Sequence, residues 1–324
     1  MHDVAVIGAG RIGSIHARNL AAMAGVRLAG IADADAVAAG RLAATCGTGV
    51  IGLDAAFGAG AVVIASPTPT HADFIERAAA AGCAVFCEKP IDLDAARVRA
   101  CLAAATRASI LLMVGFNRRF DPSFAALKAT IAGGGIGRLE LLSITSRDPA
   151  PPPAAYIRSS GGLFRDMTIH DFDMARFLLG EEPVGVHATA SAFLDAVREA
   201  GDVDTAAITL RTGSGAIATI TNSRRASYGY DQRIEAHGEA GLVAAGNRTA
   251  TSLVHADRHG FRTDPALPFF LERYEAAYQN ELATFIAALK GEDVAFPDGE
   301  DGLRALLIAD AALESSRTGR EVAL

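Results

Sequence analysis

The sequence predicts an α/β fold organised as two domains. The chain has 324 residues, and globular domains usually contain about 100–200 residues each. Up to about residue 118, short apolar runs alternate with Ala-rich helical stretches, a pattern typical of a parallel sheet with crossover helices. Between residues 183 and 255, apolar runs follow one another without helices, as in an antiparallel sheet. We therefore predict a parallel α/β domain over residues 1–118 and an α+β domain with a large, mainly antiparallel sheet over residues 119–324.

Five apolar runs are the predicted strands of the first domain. They are Val4–Ile7, Val26–Ala32, Ala61–Ala65, Ala84–Cys87 and Leu111–Phe116. One helix is predicted after Gly13, and others are predicted over residues 34–46, 71–82 and 92–107. Each strand ends in a glycine-rich or polar segment, and parallel sheets bind ligands outside the carboxyl ends of their strands. The residues at these five ends are therefore candidates for a binding site.

The second domain is predicted to begin with helices and to continue as a sheet. Helices are expected over residues 121–132 and 168–179, with a strand over 138–146 between them. The later strands are Val184–Ser191, Thr205–Arg211, Ala216–Ser223, Gln232–His237 and Leu242–Ala245, and two helices near 270–290 and 300–317 close the chain. Arg119 and Asp121, at the start of this domain, are predicted to form a structural ion pair.

Composition argues against several classes of protein. The 30 Lys and Arg residues stand against 37 Asp and Glu residues, and no basic cluster is long enough to follow a nucleic-acid backbone. We find no apolar segment of the ~18 residues that a membrane span needs and no signal-peptide pattern at the start. The cysteines lack C-x-x-C spacing and are expected to be reduced thiols; they are Cys46, Cys83, Cys87 and Cys101. These features predict a cytoplasmic protein with neither nucleic acid nor membrane as a partner.

The first strand runs directly into the glycine pattern of a dinucleotide-binding loop, Gly8-Ala9-Gly10-Arg11-Ile12-Gly13. The first Gly makes a tight turn, the second lets the backbone approach a pyrophosphate, and the third lets helix pack on strand. The second strand ends in Asp33, whose carboxylate suits the ribose hydroxyls of NAD and repels the 2′-phosphate of NADP; Ala34 follows, rather than Arg. The sequence therefore predicts a Rossmann domain that binds NAD. A helix N-cap is the other role open to Asp33.

Two further motifs add a family resemblance that covers essentially the whole chain. Ser66-Pro67-Thr68-Pro69-Thr70-His71 and Glu88-Lys89-Pro90, together with the glycine pattern, resemble the Gfo/Idh/MocA oxidoreductase family. GFNRRFDP at residues 115–122 and SGGLFRDMTIHDFDMARFLLG at residues 160–180 are similar to the inositol-dehydrogenase branch of that family. The Glu-Lys-Pro motif is specific for the family, whereas the second stretch points to the branch.

The resemblance implies an NAD-dependent dehydrogenase that oxidises a secondary alcohol of a cyclic polyol to a ketone. For the inositol branch the substrate is myo-inositol and the product is scyllo-inosose (2-keto-myo-inositol), formed with NADH in inositol catabolism. The resemblance also implies that the sheet of the second domain is open and packs in a homo-oligomer, often a tetramer and otherwise a dimer. The catalytic set of the family maps onto Lys89, Asp166 and His170.

These three residue types suit alcohol oxidation, in which the cofactor takes a hydride and the protein must accept a proton. A neutral imidazole is a suitable base at neutral pH, and His170 is our candidate. Asp166, four residues earlier, is expected on the same side of one helix or at its first turn, where it orients the substrate hydroxyl or the imidazole, unless it serves only as a helix N-cap. The Lys89 ammonium suits stabilisation of a developing alkoxide, and either Lys89 or His170 is the immediate proton acceptor.

The remaining candidates line the predicted cofactor and substrate sites. Those for the cofactor are Gly8, Gly10, Arg11, Ile12, Gly13, Asp33, Ser66, Thr68, His71, Glu88 and Lys89. Those for the substrate are Lys89, Asn117, Arg118, Tyr156, Asp166 and His170. No metal is expected, because the nicotinamide reaction needs none; a site built from Asp166, His170 and Asp173 is the alternative.

Other functions remain open at this stage. The nearest is the same chemistry on scyllo-inositol, another inositol isomer or an aldose. More distant are an NAD-dependent glycoside hydrolase, which would recycle its cofactor without net NADH, and a non-catalytic regulator that senses the dinucleotide. A regulator is expected to have lost catalytic residues, yet this chain keeps Lys89, Asp166 and His170.

Overall fold

A computed structural model describes all residues from 1 to 324, and the chain divides into two compact units. The first unit contains residues 1–120 and 276–306, and the second contains residues 121–275 and 307–324. The predicted boundary at residue 118 lies near the division between Phe120 and Asp121. The sequence did not indicate that residues 276–306 return to the first unit, because an apolar helix pattern does not say which core it joins.

The first unit is built on a parallel sheet of five strands in the order β2-β1-β3-β4-β5. The strands are β1 His2–Ile7, β2 Val26–Ala32, β3 Ala61–Ile64, β4 Ala84–Cys87 and β5 Leu112–Val114. Every neighbouring pair is parallel. The predicted α/β domain is thereby confirmed, strand by strand. β5 is shorter than predicted because the backbone turns at Gly115 and Phe116, where the Phe116 N–H donates to the Val114 carbonyl.

Six helices cover this sheet or lead into it. They are α1 Arg11–Ala22, α2 Ala36–Cys46, α3 Leu53–Phe57, α4 His71–Ala80, α5 Ala95–Ala108 and, much later in the chain, α12 Glu275–Leu289. Both α2 and α5 start later than predicted because Asp35 and Asp94 cap them, each accepting backbone N–H bonds of the first turn. Residues of α12 from Ala276 onward belong to this unit because Leu282, Phe285 and Ile286 are buried in its core.

The second unit is built on a mixed sheet of seven strands in the order β11-β10-β6-β9-β8-β7-β14. The strands are β6 Leu139–Arg147, β7 Pro183–Ser191, β8 Thr205–Thr212, β9 Ile217–Ser223, β10 Asp231–Gly238, β11 Gly241–Ala245 and β14 Val322–Ala323. Only β6 and β9 pair in parallel, and all other neighbours are antiparallel. The prediction of a mainly antiparallel sheet is confirmed. A separate hairpin of β12 Val254–Asp257 and β13 Gly260–Thr263 was not predicted, because all its residues are exposed and carry no core-facing pattern.

Seven further helices belong wholly or partly to the second unit. They are α6 Pro122–Ala132, α7 Ala154–Ser159, α8 Gly162–Asp166, α9 Ile169–Leu179, α10 Asp195–Glu199, α11 Phe270–Arg273 and α13 Gly299–Thr318. Of these, α6 packs against β11 and α9 against β6. The short helices α7, α8 and α10 were not predicted, since five or six residues are too few to show a helical period. α13 begins in the first unit and ends in the second, which takes the chain from Leu307 onward.

The predicted ion pair of Arg119 with Asp121 is wrong. Arg119 instead bonds Asp301 at 3.0 Å, and Asp121 is paired with Arg273 of α11. Asp121 also caps α6 by accepting the N–H groups of Ser123 and Phe124. The capping role holds the Asp121 side chain along its own helix, so the residue two positions away in sequence is not its partner. No helix of the chain combines the length and the apolar character that crossing a membrane requires.

Candidate active site

The glycine loop between β1 and α1 has the geometry that a dinucleotide requires. Gly8 has a φ of +110°, and a Cβ there would lie 2.4 Å from the Ala65 carbonyl oxygen. A Cβ at Gly13 would lie 1.9 Å from the Gly8 carbonyl oxygen. A Cβ at Gly10, by contrast, would meet no atom within 4 Å outside its chain neighbours and helix backbone, and no side chain caps the first turn of α1. The loop therefore offers backbone N–H groups to an anion at a helix N-terminus, as the pyrophosphate of NAD requires.

Asp33 lies at the end of β2 and is tied to this loop. Its Oδ2 accepts the N–H of Ala9 at 2.5 Å, and its Oδ1 accepts the N–H of Asp35 at 2.7 Å. The cap of α2 is Asp35, so Asp33 does not have the N-cap role that the sequence left open. Each carboxylate oxygen can accept a further hydrogen bond. Asp33 is therefore oriented beside the loop with acceptor capacity left for ribose hydroxyls.

The segment after β3 is a tight polar turn that carries three of the predicted cofactor residues. Thr68–Thr70 forms a single 3₁₀ turn that leads into α4. Ser66 Oγ and Thr70 Oγ1 lie 2.6 Å apart, and Thr70 Oγ1 also donates to the Pro67 carbonyl at 2.7 Å. Ser66 and Thr68 are half-buried. The turn is stabilised by its own hydroxyl groups, so its backbone is defined independently of a ligand.

His71 is buried behind that turn rather than directed away from it. Its Nε2 lies 2.7 Å from the Ser66 carbonyl oxygen and its Nδ1 lies 2.8 Å from the Pro90 carbonyl oxygen. Burial lowers the pKa of His71, while the two carbonyl contacts act in the opposite sense with less effect. The ring thus joins the ends of β3 and β4. Both of its nitrogen atoms are already engaged by the chain itself.

The Glu88-Lys89-Pro90 motif follows β4 directly. The Lys89–Pro90 peptide bond is cis, and the Lys89 side chain is half-buried. The Glu88 side chain accepts a hydrogen bond from Nε2 of His16, on α1, at 2.7 Å. At the end of the next strand, Asn117 and Arg118 are only 4% and 5% exposed. The candidates of the first unit therefore all lie at the carboxyl ends of its strands, as the sequence predicted.

In the second unit, the structure brings Tyr156 and Asp166 together. The Tyr156 hydroxyl donates to Asp166 Oδ1 at 2.9 Å, and Arg224 Nη2 donates to Oδ2 at 3.3 Å. Asp166 is the last residue of α8, not the cap of α9. Because both of its oxygens are engaged, the carboxylate is held in one orientation.

His170 lies in the first turn of α9 and is half-buried. Asp166 and His170 therefore belong to two helices separated by Met167 and Thr168, and the expectation of one common helix is wrong. Thr168 Oγ1 donates to Asn222 Oδ1 at 2.7 Å, and Asn222 Nδ2 donates to Asp171 Oδ2 at 2.8 Å. Since Asn222 lies on β9, these bonds anchor the start of α9 on the sheet.

In each unit, sequence reasoning missed buried polar residues that contact the candidates or anchor the elements that carry them. Arg224 is 1% exposed and faces both Asp166 and Asp202, while His16 and Asn222 are similarly buried. The hydrogen-bond partners of these residues are Glu88 for His16, Asp171 for Asn222 and Asp166 for Arg224. Each pair is separated by more than fifty residues in the sequence. A polar residue within an apolar pattern was the one available signal, and it does not identify a partner.

A glycine loop at the first strand, an acidic residue at the end of the second, and polar strand ends along one sheet define an NAD-binding oxidoreductase of the Rossmann type. The family model for an oxidoreductase family with an NAD-binding Rossmann fold matches residues 2–116, and the model for the GFO/IDH/MocA C-terminal domain matches residues 124–244. The chain belongs to the GFO/IDH/MocA family.

Several relatives of this chain are named inositol dehydrogenases. It is 54% identical to an inositol 2-dehydrogenase of Rhizobium meliloti, over 98% of both chains. The crystal structure of a myo-inositol dehydrogenase from Corynebacterium glutamicum is 48% identical, with a TM-score of 0.95 over 100% of this chain and 99% of the other. A scyllo-inositol dehydrogenase from Lactobacillus casei, crystallised with NAD(H) and scyllo-inositol, is 28% identical. Its TM-score is 0.92, and the match covers 100% of this chain and 99% of the other.

Proposed function

We propose that this protein oxidises myo-inositol to scyllo-inosose with reduction of NAD. The observation that carries the proposal is the 54% identity over nearly the whole chain to an inositol 2-dehydrogenase. The chain also contains Lys89, Asp166 and His170, the residues onto which the family resemblance maps a catalytic set, and this supports the proposal. The scyllo-inositol dehydrogenase of Lactobacillus casei is a second structural relative, so the stereoisomer is the part of the proposal that the experiment must test most directly.

The first unit provides the cofactor-binding residues. The uncapped start of α1 receives the pyrophosphate, and the open surroundings of Gly10 leave room for its approach. Asp33 accepts hydrogen bonds from the adenosine ribose. Arg11, Ile12, Ser66, Thr68 and Glu88 complete the proposed cofactor-binding set. His71 contributes by joining the β3 and β4 ends, since both of its nitrogens face carbonyl oxygens.

The substrate loses a hydride and a proton from one carbinol group. NAD, when bound, supplies the hydride acceptor. His170 takes the hydroxyl proton as a neutral imidazole. Asp166 accepts a hydrogen bond from the reacting hydroxyl or the imidazole, and Tyr156 and Arg224 hold it in place for that task.

Lys89 acts on the oxygen that becomes the ketone. Its ammonium group stabilises the negative charge that develops on that oxygen as the C–H bond breaks. Asn117 and Arg118 provide further polar groups for the other hydroxyls of a cyclic polyol. A ring with six hydroxyl-bearing carbons needs several such partners, because buried donors and acceptors must be paired.

The test measures NADH formation by the purified protein with myo-, scyllo- and chiro-inositol, glucose, xylose and galactose, each with NAD and with NADP. Rapid reduction of NAD with myo-inositol is expected. Preference for another polyol would overturn the substrate and keep the chemistry. Tight NAD binding without net reduction by any polyol would instead favour the glycoside hydrolase or the regulator.

We also propose that the protein is a cytoplasmic homo-oligomer, tetrameric or dimeric, assembled through the seven-stranded sheet. The exposed face of that sheet is poor in charge at its centre: Ala207, Thr209, Ile217 and Thr221 all point to solvent. Light scattering after size exclusion tests this. Thr209→Lys is expected to yield monomers, with Thr318→Lys, on an exposed helix end, as the control. A wild-type monomer would contradict the proposal.

A further inference from the structure

A cluster of three titratable side chains lies inside the first unit, apart from the proposed reacting groups. His16 of α1, Glu88 at the end of β4 and Glu281 of α12 each place a ligand atom within 4.8 Å of the others. His16 and Glu281 are 0% exposed, and the Glu88 side chain is 13% exposed. The three residues come from elements that are far apart in sequence, so the fold itself assembles this cluster.

Glu281 is the unusual member of the cluster. Neither of its carboxyl oxygens has a hydrogen-bond partner, and neither does Nδ1 of His16. The ring of Tyr278 and the ring of Phe86 lie 5.9 Å and 5.1 Å from the His16 ring. The titratable groups that share this cluster with Glu281 are His16 of α1 and Glu88 at the end of β4, while Tyr278 of α12 packs against the His16 ring. None of these three is a permanent cation.

An ionised Glu281 would place a second negative charge beside Glu88 in an enclosed apolar core. Burying a carboxylate without a partner costs far more than protonating it. Burial and the neighbouring Glu88 both raise the pKa of Glu281 well above its ordinary value. Protonation also gives Glu281 an O–H donor, which complements the acceptors of Glu88 and the unpartnered nitrogen of His16 directly or through one water.

The Glu88 side chain is restrained from several directions. Its backbone N–H donates to the Ile64 carbonyl at 2.9 Å, its carboxylate accepts from His16, and a Cβ built on Gly115 would lie 3.0 Å from that carboxylate. Glu88 therefore connects the helix of the glycine loop with the strand that carries Lys89. A change in its position moves both parts of the cofactor site.

We propose that Glu281 is a positioning residue, a neutral carboxylic acid that completes the His16–Glu88 hydrogen-bond chain and so holds the glycine-loop helix and Lys89 in register for NAD. The inference deepens the proposed function, on which it rests for the roles of Glu88 and Lys89. It assigns Glu281 no contact with substrate or cofactor. A cation held by the three side chains is the competing explanation.

The principal test compares Glu281→Gln with Glu281→Met. Gln keeps a neutral hydrogen-bonding group of the same size, so NAD affinity and kcat are expected to stay near wild type. Met fills the space without polar atoms, and we expect about tenfold weaker NAD binding in a protein that melts no lower than wild type, because an apolar side chain suits this core. Equal losses of NAD affinity in both variants, or no loss of NAD affinity in Glu281→Met, would overturn the proposal.

Three further measurements keep the inference testable. NAD affinity is measured by calorimetry without any polyol, so the outcome stands even if the proposed substrate is wrong.

Infrared difference spectra of wild type minus Glu281→Gln are expected to contain the band of a protonated carboxyl group at neutral pH. Absence of this band would refute a neutral Glu281, and this test does not require that Glu281→Met folds. Elemental analysis that finds one bound metal per chain, lost in Glu281→Gln, would replace the positioning role with a metal site.

Discussion

At the scale of single residues, the proposed chemistry uses carboxylates whose hydrogen-bonding atoms are already oriented. Asp33 is held by two backbone N–H groups, and Asp166 by Tyr156 and Arg224. Ordered carboxylates of this kind lose little freedom when a ligand arrives, which favours tight and selective binding. Replacement of Asp33 should therefore alter cofactor specificity more than stability, whereas replacement of Asp166 also removes a counter-ion of the buried Arg224.

Asp33→Ser is expected to weaken the preference for NAD over NADP. The substitution removes the negative charge that repels a 2′-phosphate and shortens the group that accepts the ribose hydroxyls. The measurement is the ratio of kcat/KM for the two cofactors. Asp35→Ser, which alters only the cap of α2, is the matched control, and an unchanged cofactor ratio in Asp33→Ser would refute the ribose role.

Lys89→Ala is expected to abolish turnover while NAD affinity is largely kept. In the proposed mechanism the ammonium acts on the oxygen of the reacting alcohol, and charge stabilisation of this kind contributes about 10²–10³ in rate. Steady-state kinetics and NAD titration separate the two effects. Normal turnover in the variant would remove Lys89 from the catalytic set.

His170→Ala is expected to lower kcat by about 10²–10⁴ if the imidazole is the general base. The acid limb of the pH profile of kcat should change along with the rate, because the group that must lose its proton has been removed. His259→Ala, in the exposed turn between β12 and β13, serves as the control. A loss of less than tenfold would leave Lys89 as the proton acceptor and His170 with a structural role.

At the scale of elements, buried polar pairs fix where the helices of the second unit begin. Asp121 and Arg273 are each 1% exposed, and their ion pair joins the start of α6 to the end of α11. At the start of α9, Thr168 and Asp171 form buried hydrogen bonds with Asn222 of β9. The helix that carries His170 is therefore anchored at the end where His170 lies.

Arg273→Met is expected to destabilise the protein by about 3–5 kcal/mol, because it leaves the Asp121 carboxylate buried without its counter-ion. Denaturant unfolding measures the loss. Arg304→Met breaks an exposed pair with Glu300 and is expected to cost about 0.5 kcal/mol or less. Adding Asp121→Asn to Arg273→Met should recover part of the stability; a double variant no better than the single one would argue against charge burial as the cause.

At the scale of the whole molecule, stability should depend on pH through the buried carboxyl group of Glu281. Its pKa is raised above the ordinary value of 4.5 in the folded chain, so above pH 4.5 the folded state holds a proton that the unfolded state releases. The contribution to stability is complete below about pH 4.5 and declines as pH rises towards the folded pKa, by up to about 1.4 kcal/mol per pH unit. We therefore expect the difference in melting temperature, Glu281→Gln minus wild type, to become more positive as the pH rises from 4.5 to 8. If this difference in melting temperature does not change with pH, Glu281 is ionised in the folded protein.

Much of the first unit could be read from the sequence because its signals are local. Val4–Ile7 is a continuous apolar run, and Gly8, Gly10 and Gly13 have spacings that backbone sterics dictate; the structure shows the close approaches that exclude a side chain at Gly8 and Gly13. The ends of the strands could be predicted in the same way, because each buried apolar run is followed by a cluster of polar residues. These features need only neighbouring residues to be recognised.

The ion-pair and hydrogen-bond partners of buried polar residues could not be predicted from the sequence. Arg119 and Asp121 are neighbours in sequence, yet each binds a residue of a distant helix. Asp166 and His170 share a helical spacing, yet a break at Met167 and Thr168 separates their helices. The first error arises because a charged side chain pairs with whichever opposite charge the fold brings close, and the second because an i, i+4 spacing does not show whether the helix continues between the two residues.

The sequence by itself determined the main strands and the longer helices, the dinucleotide loop and the residue types available for alcohol oxidation, because these follow from periodicity, glycine sterics and the chemistry of individual side chains. The family followed from the resemblance of whole motifs, such as Glu88-Lys89-Pro90. Only the tertiary structure decided that residues 276–306 complete the first unit, that Arg224 and Tyr156 hold Asp166, and that His16, Glu88 and Glu281 meet in one core. The physical reason is that burial and electrostatic pairing depend on distances in space, which the fold sets between residues that are far apart along the chain.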